Sequence, residues 1–98
     1  MPDDGDGAPV VVPIEEFIDL HPFAPQDIAD VVREYLECAR AAGFREVRLI
    51  HGRGRGFQRA RVRSLIATLP YVVTASEAPP SQGGWGATIV VLEPPEPR

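Results

Sequence analysis

A chain of 98 residues is long enough for one domain and too short for two. Its longest mainly apolar runs, Val10 to Ile14 and Ala87 to Leu92, fall far short of the roughly 20 residues a membrane-crossing helix needs, and its one cysteine excludes an intrachain disulfide. The net charge of −4 hides a segregation: residues 1–37 set ten acids against Arg33, whereas residues 38–76 set eight arginines against Glu46, so an acidic chain can still carry a local anion-binding patch.

Residues 1–13 are rich in Asp, Gly and Pro and predict a loose tail, with Val10-Val11-Val12 as an extended segment. The opening Met-Pro-Asp-Asp-Gly-Asp-Gly is acidic and has no apolar stretch, so it is not a secretory signal, and a soluble cytoplasmic protein is the default expectation. The domain proper is expected over 14–92. Phe17 to His21 alternates with period two and predicts a strand, Ile18 and Leu20 on one face, Phe17, Asp19 and His21 on the other. Pro22 and Pro25 break it. From Gln26 to Ala42 the apolar positions follow helical spacing, and Gly43 is the expected C-cap. Cys38 falls in that helix and reads as a buried small hydrophobe. A structural zinc site needs about four Cys or His ligands; Cys38, His21 and His51 do not supply them, so no metal ligand is assigned.

Glu46 to His51 predicts a second strand, and Gly52-Arg53-Gly54-Arg55-Gly56 a glycine-rich turn. A second helix is expected from Phe57 to Leu69, burying Val62, Leu65, Ile66 and Leu69 and stopped by Pro70. Tyr71 to Ser76 predicts a third strand, Pro79 to Gly86 a loop, and Ala87 to Leu92 a fourth strand. Glu93 to Arg98 forms a Pro-rich tail. The order is βαβαββ. Crossover helices make the first three strands parallel, and the short last loop makes the fourth antiparallel, giving a mixed sheet. If both helices cover one face, the fold is an α/β two-layer sandwich whose other face is partly open, with Phe17, Asp19 and Arg48 pointing away from the helices.

This topology directs the loops after the first three strands to one sheet edge, where open α/β sheets bind ligands. Those loops hold Asp19 and His21, then His51 and its glycines, then Gly83-Gly84-Trp85-Gly86. Asp19 and His21 project on one side, where a carboxylate can fix the imidazole's tautomer and raise its basicity; the alternative is a polar strand end. Gly52, Gly54 and Gly56 before a helix let backbone N–H groups approach an anion, with Arg53, Arg55 and Arg59 adding charge-assisted bonds; the alternative is a flexible turn. The run is neither a dinucleotide nor a Walker fingerprint. Arg61 and Arg63 read as a solvated helix face. Trp85 suits either base stacking or a lid over the core edge.

Together these segments resemble the small MutS-related (Smr) domain from about Phe17 to Leu92. Ile18-Asp19-Leu20-His21 matches the family's aliphatic-Asp-Leu-His pattern. His51-Gly52-Arg53-Gly54, with Gly56 and Arg59, matches its His-Gly-x-Gly loop and early helix arginine. Gly83-Gly84-Trp85-Gly86-Ala87-Thr88 matches its Gly-Gly-x-Gly-x-Thr approach to the last strand. The resemblance implies strand order 1-2-4-3, as in the C-terminal domain of a translation initiation factor. It implies nucleic-acid binding and an endonuclease, that is hydrolase, activity on DNA or RNA, metal-independent or aided by Mg or Mn, with the ribosome or DNA-repair proteins as further partners. It places catalysis on Asp19, His21 and His51. One departure stands out: Pro22 occupies the place of the family's glycine, removing an N–H and fixing φ. Ala24 is also a poor helix cap. Two other functions fit the same residues, a non-catalytic module that docks on RNA, DNA or a ribonucleoprotein, and a small protein-interaction adaptor using the open sheet face.

Overall fold

The computed structural model describes residues 14–54 and 56–95. The tail expected over 1–13, the phosphate contact expected of Arg55 and the last three residues lie outside the described residues. The elements run β1 (Phe17–Asp19), a 3-10 turn (Pro25–Asp27), α1 (Ile28–Ala41), β2 (Glu46–Ile50), α2 (Phe57–Ile66), β3 (Val72–Glu77) and β4 (Ala87–Leu92), with 3-10 turns Pro80–Gln82 and Gly84–Gly86 joining the last two strands. The strands form one sheet in the order β1-β2-β4-β3. β1 is parallel to β2, and β4 is antiparallel to both β2 and β3. β1, β2 and β3 therefore all point the same way, as the βαβαββ order requires.

Periodicity explains which side chains go inside. In α1 the buried set is Ile28, Val32, Tyr35, Leu36 and Ala39, a single stripe at three- and four-residue spacing. Cys38 is exposed, against the expectation that it is buried. It lies two positions from Leu36, roughly 200° around the helix, and so faces away from the stripe. Ala24 gives the first turn no side-chain cap, while Pro25 supplies its preset φ at the first position. Gly43, at φ +96°, ends the helix in the left-handed conformation.

α2 ends at Ile66, short of the expected Leu69. Beyond Ala67 the amides of Thr68 and Leu69 bond to carbonyls three residues back, at 3.0 and 3.1 Å, and tighten the end into a 3-10-like turn before Pro70. Val62 and Ile66 are buried, and Leu65 and Leu69 are half-buried against the same core. β1 is also shorter than expected, although the Leu20 amide still reaches the Ile50 carbonyl at 2.9 Å. The β3–β4 pairing is irregular between Val72 and Thr74, which leaves Val73 54% exposed.

One core joins both helices to the sheet's inner face, where Val47, Leu49, Val90 and Leu92 meet Val32, Leu36, Val62 and Ile66. Each such side chain contributes about 1.5–3 kcal/mol through burial. Tyr35 adds an anchor: its hydroxyl donates to the Glu15 carbonyl and fixes the approach to β1. Burial, with Glu16 and Glu15 nearby, pushes its phenol up to about 12. On the outer face the Arg48 guanidinium lies over the Phe17 ring at 5.4 Å. Among the described residues no helix is long and apolar enough to cross a membrane.

Candidate functional site

Since β1, β2 and β3 share a direction, their C-terminal ends share an edge. The amides of His51 and Gly52 both donate to the Gly86 carbonyl, at 3.1 and 2.9 Å, and stitch the glycine loop to the Gly83–Gly86 turn. His21 lies against Gly52 on the other side. Asp19, His21, His51, Gly52, Arg53 and the Gly83–Gly86 turn are thus brought together.

Asp19 and His21 form the pair that their spacing suggested. One carboxylate oxygen of Asp19 accepts the His21 backbone N–H at 2.9 Å and faces His21 Nδ1 at 2.6 Å. The backbone N–H, followed by the ring, holds the Asp19 carboxyl below its usual range. The bond to Asp19 places the proton on Nδ1 and leaves Nε2 turned toward the glycine loop. Pro22 does not disperse the pair. The turn that follows β1 is closed by the Phe23 amide donating to the Leu20 carbonyl at 3.2 Å, a bond that makes no use of an amide at position 22.

The contact with Gly52 is close enough to demand glycine. A Cβ built there would sit 2.6 Å from His21 Nε2, and the residue has φ +85°. Gly56, the N-cap of α2 at φ +86°, is covered in the same way by Trp85, whose ring would lie 2.9 Å from a Cβ. Trp85 stays 37% exposed, and Arg59 packs its guanidinium 4.9 Å from the ring centre. Arg59 also approaches Glu77 at 3.8 Å, so it is partly engaged by the protein itself. Arg53 is exposed on the loop, with a long contact of 3.5 Å to the Gly83 carbonyl. The loop and the start of α2 border a cleft of about 340 Å³. It is lined by His21, His51, Gly52, Arg53, Gly54 and Gly56, with Phe57 and Gln58 at the helix start. α2 has no side-chain cap, so its first amides are open to an anion there.

His51, which the resemblance places among the catalytic residues, is held inside the protein. It is only 6% exposed, and both ring nitrogens are bonded internally. A carbonyl only accepts, so Nδ1–H donates to Gly52 O at 3.0 Å. Nε2 then accepts the Thr88 hydroxyl at 2.9 Å, and the Thr88 oxygen accepts Arg63 Nε–H at 3.2 Å. The chain Arg63–Thr88–His51–Gly52 braces the loop from beneath. Arg63 is therefore half-buried and bonded rather than part of a solvated face, whereas Arg61 is exposed and reaches the Pro25 carbonyl at 3.1 Å. Thr88 closes the Gly-Gly-x-Gly-x-Thr segment and sits at an inward position of β4 otherwise filled by Val90 and Leu92. A polar residue in that register needs a buried partner.

Burial lowers the His51 pKa, and the nearby Arg59 and Arg63 charges act the same way, against the opposing bond to Gly52. A depressed folded pKa means the unfolded chain takes up the proton first. Stability is therefore complete above the ordinary histidine pKa of about 6.5 and falls as pH drops below it. Denaturant midpoints measured from pH 7.5 to 5 should fall for the parent chain and fall less for His51→Gln. Parallel curves would show that His51 does not carry the effect.

Among the described residues no group of three or more His, Cys, Asp or Glu side chains is placed to hold a metal ion. The site offers Mg or Mn essentially the second oxygen of Asp19, a poor set for a cation that prefers six oxygens.

Comparison with known proteins agrees with this architecture. The family model for the Smr domain matches residues 18–93. The chain is 36% identical over 77 residues to endonuclease MutS2 of Thermus thermophilus, an alignment that covers 79% of this chain and 10% of that protein. The chain spans about a tenth of the length of the curated relatives it matches. The crystal structure of the Smr domain of Thermus thermophilus MutS2 superposes with a TM-score of 0.75 at 36% identity, covering 80% of this chain and 98% of that one. YdaL, a stand-alone small MutS-related protein from Escherichia coli, superposes with a TM-score of 0.76 at 28% identity, over 83% of this chain and 66% of that one. With its motifs, its strand order and these matches in agreement, the chain belongs to the Smr domain family.

Proposed function

We propose that this chain is a nucleic-acid-binding Smr domain that cleaves phosphodiester bonds. The observation that carries the reading is the Asp19–His21 pair set against the Gly52 backbone, at the mouth of a cleft with open amides and Arg53. Relatives named as endonucleases support the same chemistry. In this reading His21 Nε2 takes a proton from the attacking water as its oxygen bonds to phosphorus, the P–O bond to the leaving oxygen breaks and that oxygen is protonated in turn, while Asp19 holds Nδ1 and steadies the ring. The Arg53 and Gly54 amides and the first amides of α2, with the Arg53 and Arg59 side chains, hold the non-bridging phosphate oxygens. His51 is a positioning residue that fixes Gly52 through its carbonyl. No step is routed through a metal.

Binding should be strongly salt-dependent, because each neutralised phosphate releases counterions with a slope of roughly −0.7 to −0.9. In fluorescence anisotropy with a labelled oligonucleotide between 50 and 200 mM salt, Arg53→Ala should weaken binding and flatten the slope by about one contact. Arg53→Ala with Arg59→Ala should flatten it by about two. Cleavage of structured DNA and RNA, with and without Mg²⁺ or Mn²⁺, then tests the chemistry. Binding without cleavage under any condition would leave a docking module. No binding at all would leave the open sheet face as a protein-interaction surface.

A further inference from the structure

A second cleft of about 280 Å³ adjoins the first and shares His21, His51 and Gln58 with it. Its other walls differ in chemistry. Leu20, Phe23, Pro25 and Ile28 make it largely apolar, with neither glycine amides nor arginines among its lining. Phe23 is 40% exposed, although it follows the short turn after β1 and could have packed inward. The volume lies just below the roughly 300–1,000 Å³ of clefts that hold drug-sized ligands, which suits one flat ring system.

Besides the two histidines, Gln58 is the polar side chain of this cleft. It lies one helical turn before the buried Val62, on the inward side of α2, and its Oε1 is buried with no hydrogen-bond partner among the described residues. A buried amide oxygen without a donor is unfavourable. A small rotation of the terminal amide, a broad torsion, would present both its acceptor and its donors to a ligand in the cleft. That pattern suits a base edge, and the exposed Phe23 ring suits a base face.

We propose that this cleft is a nucleobase pocket, which holds one unpaired nucleotide beside the phosphate bound at the glycine loop. The inference rests on the nucleic-acid reading above and narrows it. A base inside a duplex cannot reach a pocket walled by Phe23 and Ile28, so the site selects single-stranded or unstacked segments. Phe23 and Gln58 then set affinity for the base, independently of the arginines that set affinity for the phosphate.

Two measurements test this on the full chain. Adenosine 5′-monophosphate, titrated against isotope-labelled protein, should shift the Gln58 side-chain amide and the Phe23 ring resonances, whereas inorganic phosphate should shift only backbone amides of the glycine loop and the start of α2. In anisotropy, a single-stranded oligonucleotide should bind more tightly than a blunt duplex of the same length. Phe23→Ala should reduce the single-strand affinity by about 5- to 150-fold, the range of a lost stacking contact, with little effect on the duplex. Phe23→Trp keeps a ring face and should retain the preference, which separates stacking from damage to the fold. Gln58→Leu should abolish the shifts that depend on the base edge. Equal losses for single strand and duplex, or a nucleotide that shifts only the glycine loop, would overturn the pocket while leaving phosphate binding intact. Failure of every nucleic acid to bind would overturn both.

Discussion

His21→Ala is expected to lower phosphodiester cleavage by about 10²- to 10⁴-fold, the range of a lost general acid–base group, while leaving oligonucleotide affinity nearly unchanged. The separation follows from where His21 sits. Its side chain is 60% exposed and bonds to Asp19, not to the core, so truncation removes no packing. In the proposed reading, phosphate affinity comes from Arg53 and the amides of the loop and helix start, which this substitution does not touch. Asp19→Asn should also lower cleavage, since an amide in place of the carboxylate no longer fixes the proton on Nδ1. Arg53→Ala should show the converse pattern and lose binding first. Pro22→Gly should change little, because the turn after β1 is closed by the Phe23 amide and the Asp19–His21 bond forms with proline in place. Single-turnover cleavage and anisotropy, measured on the same preparations, separate these outcomes. A His21→Ala protein that cleaves at the parent rate would remove His21 from the chemistry. A Pro22→Gly protein that cleaves where the parent does not would show that the proline silences the site.

Gly52→Ala should be nearly as damaging to cleavage, and it should also cost stability. Two effects add at one atom. The backbone at φ +85° is unfavourable for an L-residue by about 1–2 kcal/mol. The new Cβ would also lie 2.6 Å from His21 Nε2, a distance that forces the imidazole aside. His21 is exposed enough to move, so the clash relaxes by displacing the very nitrogen that the chemistry needs. A misplacement of about 1 Å can cost about 10²-fold in rate. Gly43→Ala is the control. It has φ +96° with nothing within 4 Å of a Cβ, and it lies at the end of α1, away from the cleft. Gly43→Ala should reproduce the loss of stability in a thermal or denaturant melt without the loss of cleavage. If both variants cleave equally, the contact between Gly52 and His21 has no catalytic consequence.

Much of the architecture is legible in the residue pattern because it rests on local rules. Period-two runs at Phe17–His21 and Ala87–Leu92, helical stripes through Val32 and Val62, and the breakers Pro22, Gly43 and Pro70 each act within a few residues. The parallel direction of the first three strands follows from the crossovers, and with it the convergence of Asp19, His21, His51 and the two glycine turns at one edge. Element ends were less legible. α2 stops at Ile66 because its last amides turn to carbonyls three residues back, a choice between nearly equal hydrogen bonds.

The sequence by itself determined the family, the sheet and the shared edge, and it set His21 two positions after Asp19, where the turn that follows β1 brings the His21 amide and ring onto one Asp19 oxygen. Only the tertiary structure decided what each polar group does there. Whether His51 faces a ligand or the core depends on Thr88 and Arg63, which are 37 and 12 positions away and meet it only when β4 and α2 pack. Whether Cys38 is buried depends on which side of α1 the sheet occupies. Whether Gln58 is one more polar helix residue or the wall of a second cleft depends on α2 lying beside the turn after β1. In each case the physical reason is the same: a side chain's periodicity fixes its direction from its own element, but solvation, bonding and charge are set by the element that packs against it.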